Sequence, residues 1–409
     1  MSRTDKGRRT KSERAERVQD WEADPTLDPT PILDAEREQG ASIGRFNLAV
    51  VGGTGVGKSS LINAIFGKDS APTGVGMPVT KGIDYHLNPD GSLGIWDFEG
   101  FEAGSAKSPE DHVAEGLGEI AAGPREQQIA VVWYCIQASS GRITENDIRL
   151  IRTFADKGLH VILVLTKVQR AKEGITGRWA PSGEAKQMLE FLQDPRDESG
   201  NLIDLPVSGT VMTAAVDQGK FGGPKHGLED LLSQTLETSP EENQDALRVV
   251  QQLSLPLKRE LAQRYINSAA ASAMAIAATP IPFADAVALA PVQLTMMGKV
   301  AAAYRIDLKV VLSAQALAQL GVQYAGRAAA RSIVKVIPGV GWIINAAVAG
   351  TITYVTGQSW MRLCEAVHTK KVNLDDIEQA WKDYGPSAQQ VLKYYMKFAR
   401  MSRNNSRPA

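Results

Sequence analysis

The residues best placed to do chemistry stand in one short run, Gly52-Gly53-Thr54-Gly55-Val56-Gly57-Lys58-Ser59. The spacing is G-x-x-x-x-G-K-S. Glycines at these positions let the main chain turn tightly and aim successive N–H groups at phosphate oxygens. Gly53, Thr54, Gly55, Val56 and Gly57 would form that cradle, with Ser59 and Ser60 at the mouth of the next element. Lys58 supplies a point charge for β- and γ-phosphates, and Ser59 a hydroxyl for Mg²⁺. The chemistry implied is the grip of a nucleoside triphosphate.

Such a loop works only between a strand and a helix. Phe46 to Val51 is an apolar, β-rich run, and Leu61, Ile62, Ala64 and Ile65 carry a helical period. Gly67 supplies the C-cap. Downstream, the glycine-rich stretch Pro72 to Thr80 precedes a strand at Ile83 to Leu87. Thr80 there could give its hydroxyl to Mg²⁺ and its N–H to a γ-phosphate. A further strand, Ser92 to Trp96, ends in Asp97-Phe98-Glu99-Gly100. Asp97 would hold Mg²⁺ through water, and Gly100 would sense the γ-phosphate. Lys58, Thr80 and Gly100 are thus the candidate catalytic set, and Ser59, Thr80 and Asp97 the candidate metal set.

Ser108-Pro109 and Thr144-Glu145-Asn146-Asp147 start helices. Ile129 to Ile136, His160 to Leu165 and Val207 to Met212 read as buried strands. Strands alternating with helices predict an α/β fold, a mostly parallel sheet with helices on both faces. Two loops fall where a base would be read. Thr166-Lys167-Val168-Gln169 stands where [NT]-K-x-D is usual, and Thr213-Ala214-Ala215 would offer a loop N–H. Gln169 replaces a carboxylate that could accept two charge-assisted bonds from a guanine edge. The loss is worth about 2–3 kcal/mol of selectivity if nothing compensates.

These motifs in this order resemble the translation-factor-like GTPases, in particular the Era-like bacterial group related to the immunity-related and dynamin-like GTPases. The resemblance runs from Phe46 to about Leu236. It implies GTP and GDP as ligands, Mg²⁺ as cofactor, and hydrolysis of GTP to GDP and phosphate. Phe101 stands where many GTPases keep a water-positioning glutamine, and Gly55 where cation-activated relatives keep an asparagine. Intrinsic hydrolysis is therefore expected to be slow, below about 1 s⁻¹, and assisted by a partner or by self-association. An ATPase or base-indifferent NTPase, or a scaffold that binds nucleotide without turnover, are the alternatives that Gln169 and Phe101 leave open.

The rest of the chain must be what the nucleotide controls. With 409 residues, two domains are expected. The net charge of −1 gives no pull toward nucleic acid. The 2 cysteines, Cys135 and Cys364, lie in apolar surroundings and suit a reducing compartment. The first residues lack an apolar h-region, so no secretory signal is expected there. The expected layout is a polar leader at 1–40, disordered or loosely helical, a G domain at 41–237 and a helical domain at 238–409.

In that last part, Asp245 to Arg264 reads as one amphipathic helix, with Leu247, Val250, Leu253, Leu257 and Leu261 on one side. Tyr265 to Ala284 and Val336 to Met361 are uncharged runs long enough to span a membrane. They are rich in alanine and glycine and equally suit buried helices of a bundle. A heptad period joins Val310, Leu317 and Tyr324. Two more helices are expected, one capped by Asn373 and one carrying Tyr394 and Phe398 beside Lys393, Lys397 and Arg400.

The phrases Thr279 to Ala286 and Ile337 to Trp342 resemble the helical domain of YcjF-type inner-membrane proteins, which implies a membrane-associated module. The expected setting is cytoplasmic, peripheral or integral at the inner membrane, with membrane lipid and a second copy of the chain as candidate partners.

Overall fold

The computed structural model describes residues 30–68, 70–71, 77–80, 82–98, 108–173, 177–197, 199–278, 289–308 and 342–372, with a few positions between 380 and 394. The chain divides into two compact units. One is Ala41–Leu261. The other joins the start of the chain, up to Gly40, to everything from Ala262 onward.

The first unit is built on a seven-stranded sheet: β1 (Phe46–Val51), β2 (Met77–Thr80), β3 (Ile83–Leu87), β4 (Leu93–Phe98), β5 (Val131–Gln137), β6 (Val161–Thr166) and β9 (Gly209–Met212). The spatial order is β2-β3-β4-β1-β5-β6-β9. Strands β4, β1, β5, β6 and β9 run parallel, and β3 and β2 add on antiparallel. β1 and β6 are buried at every position. That is why their sequences are apolar at all but one position each, Asn47 in β1 and Thr166 in β6, and do not alternate. β4 continues past Trp96, so Asp97 lies within the strand and pairs with Val50.

Helices cover both faces. On one side α2 (Lys58–Phe66), α7 (Leu228–Thr238) and α8 (Glu241–Val250) pack over Phe46, Leu48, Val50 and Trp133. On the other, α3 (Pro109–Ala122), α4 (Glu145–Asp156) and α5 (Glu184–Gln193) cover Val51, Tyr134 and Leu163, and the four-residue α6 (Gly219–Gly222) follows β9. Ser108 caps α3 through the N–H of Asp111, and Thr144 with Asp147 forms a capping box on α4. Buried indoles find acceptors: Trp133 donates to Thr235 Oγ1 at 2.9 Å and Trp96 to the Gln127 carbonyl at 2.8 Å.

Three sequence expectations change. The sheet unit does not stop at 237, because Ala246, Leu247 and Val250 of α8 join the cluster under β1. The single helix expected at 245–264 is two, α8 and α9 (Leu255–Ala278). Gln251 makes the break: its amide donates to the carbonyls of Arg248 and Ser254 and its Oε1 accepts the Ser254 N–H at 2.7 Å. Pro256 then sits in the first turn of α9, where its missing N–H costs nothing. Finally, the end of the leader is ordered as α1 (Thr30–Ile43), with Ile32 and Ala35 buried. Pro31 lies in the first turn of that helix, where its missing N–H costs nothing.

The second unit contains most of α1, the later part of α9, α10 (Leu289–Ala303) and α11 (Trp342–His368). Its helices approach closely through glycine. A methyl group on Gly298 would lie 2.3 Å from the Ile32 carbonyl oxygen, and one on Gly350 or Gly357 would strike Met274 or Ile266. Trp360 donates to the Met297 carbonyl at 2.8 Å, and Gln293 to Thr353 Oγ1 at 3.1 Å. The Tyr354 and Tyr394 rings pack at a tilt of 53°, their centroids 5.1 Å apart. Among the described residues no helix is long and apolar enough to cross a membrane. Thr279 to Ala286, Ile337 to Gly341 and the Val310–Tyr324 heptad lie outside the described residues, as do Asn373, Lys397, Phe398 and Arg400.

Candidate functional site

The C-terminal ends of the parallel strands meet along one edge of the sheet, where α/β sheets place their ligands. The glycine loop leaves β1 there. Gly52 has φ +142°, and a Cβ on it would sit 2.4 Å from the Cys135 carbonyl oxygen. Gly57, at φ +112°, is the residue before α2 and is left-handed. α2 has no side-chain cap at its start and no acidic residue in its first turn. Its first N–H groups therefore point outward with their partial positive charge uncancelled.

Lys58 is buried, while Gly53, Thr54, Gly55, Ser59 and Ser60 are exposed around it. Its ammonium donates to the carbonyls of Gly52 at 2.8 Å and Gly53 at 3.4 Å. It lies 3.9 Å from Asp97 Oδ1. A lysine, a carboxylate and a ring of main-chain amides are thus held together before any ligand arrives. Cys135, beneath the loop, is no nucleophile: burial pushes its thiol up to about 12, against the opposing pull of Lys58.

Thr166 and Lys167 brace the same loop from β6. Thr166 Oγ1 donates to the carbonyls of Val56 at 2.6 Å and Ile136 at 3.2 Å. Lys167, at φ 52°, donates from Nζ to the Gly55 carbonyl at 2.5 Å and to Gln137 Oε1 at 3.2 Å. Gln137, at the end of β5, is a contributor that sequence reading passed over; a lone polar residue closing an apolar strand was the available signal.

The far end of the edge is built differently. Val168 N–H donates to the Thr213 carbonyl at 2.9 Å, which brings together the two loops expected to read a base. Of the three residues expected to offer a base a loop N–H, Thr213 and Ala214 have theirs engaged within the protein. Thr213 N–H donates to Leu165 at 2.7 Å, and Ala214 N–H to His226 at 3.0 Å. Both residues are fully buried. Gly227 follows His226 so tightly that a Cβ would sit 1.9 Å from the Met212 carbonyl oxygen.

Gln169 is exposed, and its carbonyl accepts the Ser182 N–H at 3.1 Å. Between these two residues stands a hairpin, β7 (Arg170–Glu173) and β8 (Arg178–Pro181), absent from the sequence reading. Lys172 lies 5.4 Å over the Trp179 ring, and Gly223 backs onto that ring. Arg170 Nε and His226 Nε2 are buried here without a hydrogen-bond partner among the described residues. Burial, with the charge of Arg170, holds the His226 pKa below its ordinary value.

The oxygen donors fit Mg²⁺, a hard cation that prefers hydroxyl, carboxylate and phosphate ligands. Ser59 opens α2 in the exposed mouth and Asp97 stands beside Lys58. Thr80 ends β2 in register with Ile83. Gly100 and Phe101 lie outside the described residues.

Residues 47–167 match the family model described as 50S ribosome-binding GTPase. The sheet unit is a G domain. Residues 242–400 match a second model, a domain of unknown function designated DUF697. Magnetosome membrane protein 22 from Magnetospirillum gryphiswaldense is 31% identical over 110 residues, 25% of this chain and 56% of that protein. The chain thus spans little more than half the length of that relative.

Among solved structures, the cytosolic domain of the T. maritima FeoB iron transporter in GDP form I is 15% identical. The match covers 83% of this chain and 98% of that one, with TM-score 0.28. Toc33 from Arabidopsis thaliana with GDP and Mg²⁺ is 15% identical, over 54% of this chain and 93% of that one, with TM-score 0.28.

Proposed function

We propose that this chain binds GTP and GDP with Mg²⁺, hydrolyses GTP slowly, and uses nucleotide-ordered loops to control its helical unit. The observation that carries this reading is the placement of Lys58. It is buried, donates to two loop carbonyls and stands beside Asp97 at the head of an uncapped helix. An arriving triphosphate exchanges those weak carbonyl partners for charged oxygens, which charge-assisted bonding favours.

In this reading the amides from Gly53 to Ser60 hold the phosphates, and Thr166 and Lys167 keep the loop in shape. Ser59, Thr80 and Asp97 hold Mg²⁺, which supplies neutralising charge on the β/γ-phosphates when bound. Gly100 reports the γ-phosphate. Membrane lipid and self-association are the partners proposed for the helical unit, at a cytoplasmic or peripheral site.

A second reading, a base-indifferent NTPase, is favoured by one observation. Gln169 carries no charge, and the Thr213 and Ala214 N–H groups are already engaged. Displacing a fluorescent GTP analogue with GTP, GDP, ATP and XTP separates the two. A preference for GTP and GDP of tenfold or more, about 1.4 kcal/mol, supports the GTPase. Equal competition by ATP supports the second reading, and no displacement by any of them defeats both.

A further inference from the structure

α2 begins at the phosphate grip, and its other end is fastened. The Ile65 carbonyl accepts the N–H of Gln252 at 2.8 Å. Gly67 closes against the Gln252 side chain so nearly that a Cβ would lie 3.1 Å from that side chain's Cδ and Oε1. Around this point Gly67 N–H donates to the Asn63 carbonyl at 3.1 Å, Asn63 Oδ1 accepts the Ala71 N–H at 2.8 Å, and Ser70 Oγ donates to the Phe66 carbonyl at 3.0 Å. The last carbonyls of a helix commonly go to water or to a cap. Here one goes to a residue far along the chain.

Gln252 stands in the break between α8 and α9. Gln251 stiffens that break through the Ser254 main chain. Leu253 and Leu257 pack against the cluster that holds Leu61, Ile65 and Phe66. From there α9 continues as one helix from Leu255 to Ala278 and so carries the chain out of the sheet unit, which ends at Leu261. α2 is 9 residues long, about 13 Å, a short rod of about two and a half turns.

We infer that Gln252 is a positioning residue that couples nucleotide occupancy at Lys58 and Ser59, through the rod α2, to the root of α9. The inference rests on the nucleotide reading above and adds a route that does not pass through the loops at Thr80 and Gly100. Coupling is reciprocal. A partner that clasps α9 beyond Leu261 changes nucleotide affinity by the factor with which nucleotide changes the partner's.

The test is hydrogen–deuterium exchange on the full chain, without nucleotide and with GDP, GTP or ATP plus Mg²⁺. Slowed exchange is expected over 52–66 and, by about fivefold, over 251–270, the low end of usual coupling. Gln252→Pro deletes the N–H that Ile65 accepts. Gln251, at ψ 150°, already has the conformation a following proline requires. This variant is expected to keep the nucleotide effect over 52–66 and lose it over 251–270, whereas Gln252→Ala, which retains the N–H, keeps both.

Slowing over 52–66 without slowing over 251–270 in the wild type overturns the coupling and leaves the nucleotide reading intact. No slowing anywhere, with any nucleotide, overturns both. Persistence of the distal effect in Gln252→Pro overturns the route. If that variant does not fold, the wild-type pattern decides alone.

Discussion

The two ends of the sheet edge are made on different terms. At the phosphate end, Lys58, Thr166 and Lys167 all donate to loop carbonyls, and Gly52 has no room for a side chain. At the end proposed to read the base, the Thr213 and Ala214 amides are consumed internally, Gln169 is exposed, and Arg170 Nε and His226 Nε2 are buried without partners among the described residues. Phosphate has the same shape in every nucleotide, so one arrangement of amides and a lysine serves all of them. A base must be distinguished from its rivals, and the groups proposed for that task depart here from the usual pattern. The lesson is that a sound phosphate grip says little about which base is chosen.

The largest expected effect is at the phosphate end. Lys58→Ala should weaken every nucleotide by on the order of 100-fold or more, about 3 kcal/mol, in the displacement titration. Unchanged affinity would remove the contrast between the two ends. Gly52→Ala follows. It forces a Cβ against the Cys135 carbonyl at φ +142°, and should cost about 3 kcal/mol in denaturant unfolding.

At the base end, Gln169→Asp restores a charged acceptor and should raise the preference for GTP over ATP by about tenfold or more, about 1.4 kcal/mol. A ratio that does not move means that base choice, if any, lies with the hairpin and the 214–226 loop.

Two further effects appear with pH. Lys258 donates to the Val249 carbonyl at the end of α8, and burial brings its pKa down to about 7. The unfolded chain keeps that proton to about 10.4. Stability should therefore rise as pH is raised from about 7 toward 10. Lys258→Met should flatten that rise in thermal melts at stepped pH.

His226 works on the acid side. Its lowered pKa means that the folded state resists a proton the unfolded chain accepts, so stability should fall as pH drops below about 6.5. His226→Gln should blunt that fall by a smaller amount.

Much of the phosphate end was legible because local rules act there within a few residues: an apolar strand, glycines at a turn, a helix with a regular period. The capping box on α4 was legible for the same reason. The β7–β8 hairpin was not, because Arg170-Ala171-Lys172-Glu173 is mostly exposed and shows no apolar alternation. The break between α8 and α9 hid behind a period that persists across it, since Leu247, Val250, Leu253 and Leu257 all turn to one core. Ser254 and Pro256, types that open helices, were the signal against continuity. α1 was legible only as a loosely helical alternative for the leader, because its few apolar residues are buried by partners distant in sequence.

Cys135 and Cys364 are both fully buried, one in each unit, with thiols held far from ionisation. The molecule therefore carries two built-in clocks. A thiol-trapping reagent reacts with each only when its surroundings open. The two trapping rates, followed peptide by peptide, time the breathing of the nucleotide unit and of the helical unit separately, in the native chain and without any introduced probe.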